Sequence, residues 1–249
     1  MFVDCLECPL RCRPAFLPMS EEEVLFMRAI KRGEIEVAPR QTVLHEGEAS
    51  PHLYTALEGL GLRYKSVGAG RRQVVGFAFP GDFIGLQGGL MGRMGHSFMA
   101  TTPMRLCVFD RADLVQIYSA QPERAFDLTW LAATEENVLG EMLASLGQRP
   151  AVQSMAWLLL RMALRAEGLG LTEREGAGGF VMSFPYRQQD VADALGLSLV
   201  HTNKTLAKLR ERDFAFWLDG RLRIPDAARL AALAGTDLET VRPDPRPLF

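Results

Sequence analysis

The stretch 186–226, "YRQQDVADALGLSLVHTNKTLAKLRERDFAFWLDGRLRIPD", decides how this chain is read. Val191, Ala192, Ala194 and Leu195 fit the inner face of a short helix. Gly196 and Ser198 follow, the first suited to a tight turn after a helix and the second to the N-cap of the next. A second helix is predicted from about Leu199 to Glu211, with Thr202, Thr205, Leu206 and Leu209 inward. Two helices across a short glycine-containing turn have the form of a helix-turn-helix. "FAFWL", the pair Asp219-Gly220 and "RLRI" come next, predicting a hairpin with a type I′ turn. That hairpin reads as the wing of a winged helix.

The second helix has the charge that a DNA groove requires. Lys204, Lys208 and Arg210 fall between 199 and 210 with no Asp or Glu, and Arg187, Arg221 and Arg223 flank them. Such cations would supply sequence-independent affinity through phosphates, while side chains near the helix start would read bases. Val200, Asn203 and Lys204 share one face at i, i+3 and i+4. Asn pairs in bidentate fashion with adenine, Lys donates to guanine, and Val meets a thymine methyl. His201 is placed toward phosphate. The expected DNA-binding set is Arg187, Ser198, Val200, His201, Asn203, Lys204, Lys208 and Arg221. The bland alternative is a helical hairpin whose basic residues are merely solvated; the order helix, Gly turn, N-cap, basic helix, Asp-Gly hairpin argues against it.

Upstream, the chain changes character. The sequence has 249 residues, 48 % hydrophobic and 23 % charged, with a formal net charge of −2, so nucleic-acid binding must rest on local charge. Ser20 with Glu23 three residues later forms a capping-box pattern ahead of an apolar run. From Val37 to Leu114, short β-prone pieces such as "LYTAL", "QVVGFAF" and "MRLCVF" alternate with Gly, Pro and charged turns, the pattern of a compact β-sandwich or barrel. From Pro122 to Leu146 the period becomes helical: Leu128, Leu131, Val138, Met142 and Leu146 recur at threes and fours. Such a helix can pack on its own β-domain or on a twin from another chain. "GQRPAVQ" at 147–153 interrupts it and marks the domain boundary. The boundaries expected are 1–18 for a cysteine-rich arm, 19–120 for a β-domain, 121–148 for the long helix and 149–249 for the winged helix-turn-helix. No apolar run is long enough to span a bilayer, and no signal-peptide pattern opens the chain, so a cytoplasmic protein with no membrane partner is expected. No nucleophile–base constellation, His-Glu-x-x-His motif or dinucleotide fingerprint is present, and an enzyme is not expected.

Together, the β-domain, the long helix and the winged helix with "ADALGLSLVHTNKTLAKLR" resemble the CRP/FNR superfamily of bacterial transcription regulators. The resemblance covers nearly the whole chain. It implies an α+β fold: an N-terminal β-roll sensor domain (a double-stranded β-helix or jelly roll), a long dimerisation helix and a C-terminal winged helix-turn-helix. It further implies a homodimer paired through Leu128, Leu131, Val138, Met142 and Leu146, and a palindromic site on double-stranded DNA. Two recognition helices would then sit roughly 34 Å apart, with RNA polymerase as a further partner. The best-known members carry Glu where Val200 stands and Arg where Lys204 stands, so a different half-site is expected here. Members that bind cyclic nucleotides carry a Glu for the ribose and an Arg-Ser/Thr pair for the phosphate. Here Leu86 or Gln87 stands at the acid's place and His96-Ser97 at the pair's, and neutral His is a poor phosphate fork. A cyclic-nucleotide effector is rejected.

The chain has four cysteines, three of them in "DCLECPLRCRPAF" at 4–16 as Cys5, Cys8 and Cys12, and the fourth at Cys107. In a reducing compartment, clustered cysteines bind metal more often than they form bridges. Oxygen-sensing members of the FNR type hold an iron–sulfur cluster with three cysteines of an N-terminal arm and one of a β-roll strand. The resemblance therefore implies Cys5, Cys8, Cys12 and Cys107 as ligands of a 4Fe–4S cluster. The gap between the second and third cysteines is shorter than in the best-known arm. Loss of the cluster to oxygen or nitric oxide would then loosen helix pairing and unlink the two recognition helices. Alternatives stay open: structural zinc, no metal with the thiols packed or redox-active, or a β-roll that binds haem or another small effector; His45, His52 and His96 are read as surface or hydrogen-bonding residues rather than haem ligands.

Overall fold

The computed structural model describes residues 2–176 and 178–249; Met1 of the expected arm and Ala177 of the loop before the wing lie outside the described residues. The arm opens with a 3-10 turn over Cys5–Glu7, capped by Asp4, whose carboxylate accepts the Leu6 N–H at 2.9 Å. Successive turns follow to residue 15, as expected where Pro9 and Pro14 deny a regular helix its hydrogen bonds. Helix α1 (Glu21–Ile30) begins at the predicted capping box: Ser20 Oγ accepts the Glu23 N–H at 3.2 Å, and Glu23 Oε2 accepts the Ser20 N–H at 2.7 Å.

Eight strands then build the first unit: β1 (Lys31–Val37), β2 (Thr42–Leu44), β3 (His52–Glu58), β4 (Gly61–Ser66), β5 (Arg72–Ala78), β6 (Phe83–Ile84), β7 (Ser97–Ala100) and β8 (Met104–Asp110), with the short helix α2 (Leu86–Met91) before β7. They form two four-stranded antiparallel sheets, ordered β1-β8-β3-β6 and β2-β7-β4-β5. Between them lies a core that includes Ala56, Ile84, Phe98, Met104 and Leu106. Crossovers between non-consecutive strands make this a β-roll, as expected. Helix α3 (Asp113–Ala120) leads into α4 (Pro122–Gln148).

The second unit comprises α5 (Ala151–Gly168), β9 (Thr172–Glu175), β10 (Gly179–Ser183), α6 (Gln188–Leu195), α7 (Leu199–Glu211), β11 (Phe216–Leu218), β12 (Arg221–Ile224), α8 (Ala227–Ala234) and α9 (Leu238–Val241). Its strands form one sheet, ordered β11-β12-β10-β9. Helix α5 is its central rod, burying Met155, Trp157, Leu159 and Leu160.

Two expectations are corrected. The chain divides into compact units at 139/140, within α4, rather than at its end, and residues 246–249 belong to the first unit, not to the winged helix. Leu128, Leu131 and Met142, expected at a dimer face, are buried inside the protomer. Val138 is half-buried and Leu146 exposed. The apolar side chains that α4 leaves in solvent are Phe126, Leu139, Leu143 and Leu146. A 3.6-residue period locates an apolar stripe but does not say what covers it, and α4 carries two such stripes. No helix among the described residues is long and apolar enough to cross a membrane.

Candidate functional site

The C-terminal unit presents a helix-turn-helix with its wing. Helix α6 ends at Gly196, which takes φ 62°, a left-handed conformation that costs glycine little. Ser198 then caps α7, its Oγ accepting the His201 N–H at 3.2 Å. The predicted inward set holds: Thr202, Thr205 and Leu209 are buried and Leu206 is half-buried. On the other side Val200, His201, Asn203, Lys204 and Lys208 are exposed, Val200 to 65 %. Among the described residues, neither Lys204 nor Lys208 is in an ion pair. Arg187 is exposed at the start of α6, where its N–H donates to Asp190 Oδ2 at 2.8 Å. Asp219 (φ 50°) and Gly220 (φ 69°) are both left-handed, as a type I′ hairpin turn demands.

The wing differs from expectation in charge. Arg221 Nη2 lies 3.0 Å from Glu173 Oε2, and Arg223 Nε 2.8 Å from Glu175 Oε2. The carboxylates come from β9. These pairs are open to water and weak, so a phosphate can compete for the guanidinium groups.

At the other end of the chain, Cys5, Cys8 and Cys107 line one small cavity of about 40 Å³, together with Leu10, Val24, Met27, Leu57, Leu248 and Phe249. Cys107 arrives on β8, opposite Glu34 of β1 and Thr55 of β3. Burial pushes the Cys107 thiol up to about 11, although the Lys31 ammonium pulls the other way, and burial likewise raises Cys5. Lys31 Nζ is held by Glu34 Oε1 at 2.6 Å and the Val3 carbonyl at 2.7 Å, which fastens the arm to β1. Cys12 stands apart: it is exposed, and its Sγ meets the Pro9 carbonyl at 3.2 Å. Three of the four predicted ligands are therefore brought together and the fourth is not. Among the described residues, no three metal-ligating side chains are close enough to hold an ion.

Donor chemistry nevertheless fits a sulfur-loving group. The cavity offers thiols in an apolar wall, and soft thiolates select iron–sulfur clusters or zinc over hard cations. Thr55 Oγ1 is buried against the same cavity with no hydrogen-bond partner among the described residues. An orphaned hydroxyl is costly unless an acceptor arrives, and sulfur in the cavity would supply one.

A second cavity, of about 350 Å³, is lined by Arg63, Leu86, Gln87, His96, Leu131 and Glu135 among others. Its chemistry opposes a cyclic phosphate. Burial, with help from the Arg63 charge, depresses His96 to about 4, so it is neutral near pH 7. Ser97 Oγ accepts the Glu46 N–H at 3.0 Å. The buried Arg63 guanidinium is ion-paired with Glu135 and donates to the Phe83 carbonyl at 3.2 Å. As for the other histidines, His52 Nδ1 lies 3.2 Å from Asp110 Oδ1 on the surface, and His45 is exposed.

Comparisons with known proteins agree with this architecture. A cyclic nucleotide-binding domain model matches residues 34–121, and a Crp-like helix-turn-helix domain model matches residues 153–233. The nitrogen fixation regulation protein FixK of Bradyrhizobium diazoefficiens is 30 % identical over 92 % of this chain and 93 % of its own. The transcriptional activator protein FnrL of Cereibacter sphaeroides is 29 % identical over 94 % of this chain and 92 % of its own. Among solved structures, FixK2 from Bradyrhizobium japonicum aligns with a TM-score of 0.70 at 24 % identity, covering 80 % of this chain and 96 % of that one. With a β-roll, a long helix, an exposed basic recognition helix and these matches, the chain belongs to the CRP/FNR family of DNA-binding transcription regulators.

Proposed function

We propose that this regulator binds a palindromic site on double-stranded DNA as a homodimer and reports oxygen or redox state through an iron–sulfur cluster held by Cys5, Cys8, Cys12 and Cys107. The observation that carries the sensing half is the convergence of Cys5 and Cys8 with Cys107, about a hundred residues away along the chain, on one apolar cavity. Cys12, on the next turn of the same arm, completes the sulfur set. When bound, a cluster of this kind supplies an oxygen-labile cross-link between arm and β8. The chain's own residues do the rest. Lys31 and Glu34 pin the arm to β1, the apolar wall keeps water from the thiols, and Thr55 offers a hydrogen bond to sulfur. The thiols lose protons on loading, so loading releases acid.

On DNA, Asn203, Lys204 and Val200 read bases while Lys208, His201, Arg187, Arg221 and the N-terminal turn at Ser198 meet phosphates. Dimer contacts run along Phe126, Leu139, Leu143 and Leu146, and RNA polymerase is a further partner.

A second reading has its own observation. The 350 Å³ cavity around Arg63 is of a size that takes small effectors, although Glu135 already satisfies its buried cation.

The deciding experiment is purification without oxygen, with assays for iron, acid-labile sulfide and zinc. Iron and sulfide that disappear together in Cys107→Ser, alongside weakened DNA binding, are expected. Iron-free protein with normal DNA affinity overturns the sensing half; zinc in place of iron redirects it.

A further inference from the structure

The cysteine cavity has a wall that the sequence does not announce. Leu248 and Phe249, the last two residues of the chain, line it beside Cys5, Cys8 and Cys107 and are themselves buried. The segment holding them there is pinned at each step. The Arg246 N–H donates to the Ala15 carbonyl at 3.0 Å, and the Leu17 N–H to the Arg246 carbonyl at 2.9 Å, so the tail adds a parallel bridge to the cysteine arm itself. The Arg246 guanidinium is ion-paired with Asp82, whose side chain is 1 % exposed. Phe16 packs tightly on Gly81, where a Cβ would fall 2.0 Å from its ring.

Further along, the Leu248 carbonyl accepts from Arg124, a guanidinium almost fully buried at the start of α4. The same Arg124 lies 4.1 Å over the Phe249 ring, and Phe249 meets Phe83 with ring centroids 5.2 Å apart. A peptide held by one buried cation, an ion pair to a buried carboxylate, two backbone hydrogen bonds and an aromatic pair is a built part of the fold. Residues 242–245, "RPDP", join it to α9 of the DNA-binding unit.

We infer that the C-terminal tail, Arg246–Phe249, is the seal of the cysteine cavity, and that its opening sets how fast water and oxygen reach the thiols held there. The seal concerns the thiols whether or not metal is present; its consequence for oxygen response rests on the function proposed above. The tail itself packs with the first unit and is joined through residues 242–245 to the second.

The test compares the full chain, a chain ending at Pro245, and Phe249→Ala. Metal-free protein is treated with iodoacetamide, and each cysteine is followed by mass spectrometry. Cys12, already exposed, serves as the internal reference. Cys107 labelling should quicken by about tenfold or more in the shortened chain, because local opening gates a buried group, and by less in Phe249→Ala, with Cys12 unchanged in both. Should the shortened chain lose its fold by circular dichroism, Phe249→Ala decides alone. Cys107 labelling unchanged relative to Cys12 in a folded variant overturns the seal. Oxygen-free preparations of the same proteins separate the two ideas. Iron-free wild-type protein with faster Cys107 labelling in the variants removes the cluster and keeps the seal. Iron-loaded protein that bleaches in air equally fast with and without the tail removes the seal and keeps the cluster.

Discussion

Helix α7 and the cysteine cavity solve opposite physical problems. Helix α7 leaves Lys204, Lys208, Asn203 and a bare Val200 in water, packing Thr202, Thr205 and Leu209 inward to hold that face rigid. The cavity does the reverse, burying Cys107 and half-burying Cys5 and Cys8 beside Leu10, Leu57, Leu248 and Phe249. A site that recognises a polyanion works through charges that shed counterions, so its strength falls with salt. A site that hides thiols works through desolvation, so its state depends on protonation and on what can enter. The first site should respond to ionic strength and the second to pH and access.

The largest effect lies on the hidden side. With its thiol pushed up to about 11, Cys107 of the metal-free protein should react with iodoacetamide at pH 8 more than about a hundredfold slower than a thiol in water of pKa about 8.5. Cys12 is the chain's own exposed standard. The linkage has a definite sign. Above pH 9 the unfolded chain loses the Cys107 proton and the folded chain keeps it, so stability falls between pH 9 and about 11. Equal labelling of the two cysteines at pH 8 would break the contrast between the sites.

How much of each site was legible follows from how local its determinants are. The α6–α7 turn is written in neighbours: Gly196 for a left-handed residue, Ser198 for the cap, Asp219-Gly220 for the hairpin. Each was readable because its conformation is fixed within a few residues. The cysteine cavity depends on β8 lying between β1 and β3, a pairing that residue spacing does not encode; its ligands were named through family resemblance. Its closure by Leu248 and Phe249 left one faint sign, an apolar "PLF" after a polar, proline-rich run. Nothing near Arg124 and Arg246 in sequence gives away the Leu248 carbonyl and Asp82 as their partners. Periodicity marks Leu128 and Leu131 as apolar-face residues, but only the packing shows that their own protomer covers them. Spacing alone does not tell Cys12 from Cys5 and Cys8, yet Cys12 is exposed, its Sγ beside the Pro9 carbonyl.

On the exposed side, Asn203→Ala should weaken binding to the cognate site by about 1–3 kcal/mol, the worth of a bidentate base contact. Affinity for random DNA should hardly change. Electrophoretic mobility shift on both duplexes measures the difference. Loss that is equal on both would make Asn203 a phosphate contact and leave base reading to Val200 and Lys204. Thermal stability should stay as in the wild type, since Asn203 is exposed and outside the packed face of α7.

Next in size is His96, which extends the hidden-site logic to the β-roll's larger cavity. Burial and the Arg63 charge hold it near 4. As pH falls below about 6.5 the unfolded chain takes up a proton that the folded chain refuses, so His96 costs stability down to about pH 4. Urea unfolding of wild type and His96→Gln at pH 7.5 and 4.5 isolates this, because the carboxylates are common to both. Wild type should lose about 2 kcal/mol more than the variant on acidification, at about 1.4 kcal/mol per pKa unit. Identical losses would mean that water already reaches His96, and with it the cavity.

The smallest effect tests most directly what kind of site α7 is. Lys208 lies one helical turn beyond Lys204 on the exposed face, three residues from the end of α7, and it is assigned to phosphate rather than to a base. Removing one phosphate contact should lower the slope of log affinity against log salt by about 0.9 per protomer. At a single salt concentration the loss is modest, a few-fold, and it should be the same on cognate and random duplexes. Arg221→Ala on the wing sharpens the point, because that guanidinium is shared with Glu173. To reach DNA it must exchange one anion for another, so its slope change should be smaller than that of Lys208. A larger change for Arg221 would show that the Glu173 pair dissolves on DNA, with the wing rather than the helix end carrying the backbone contact.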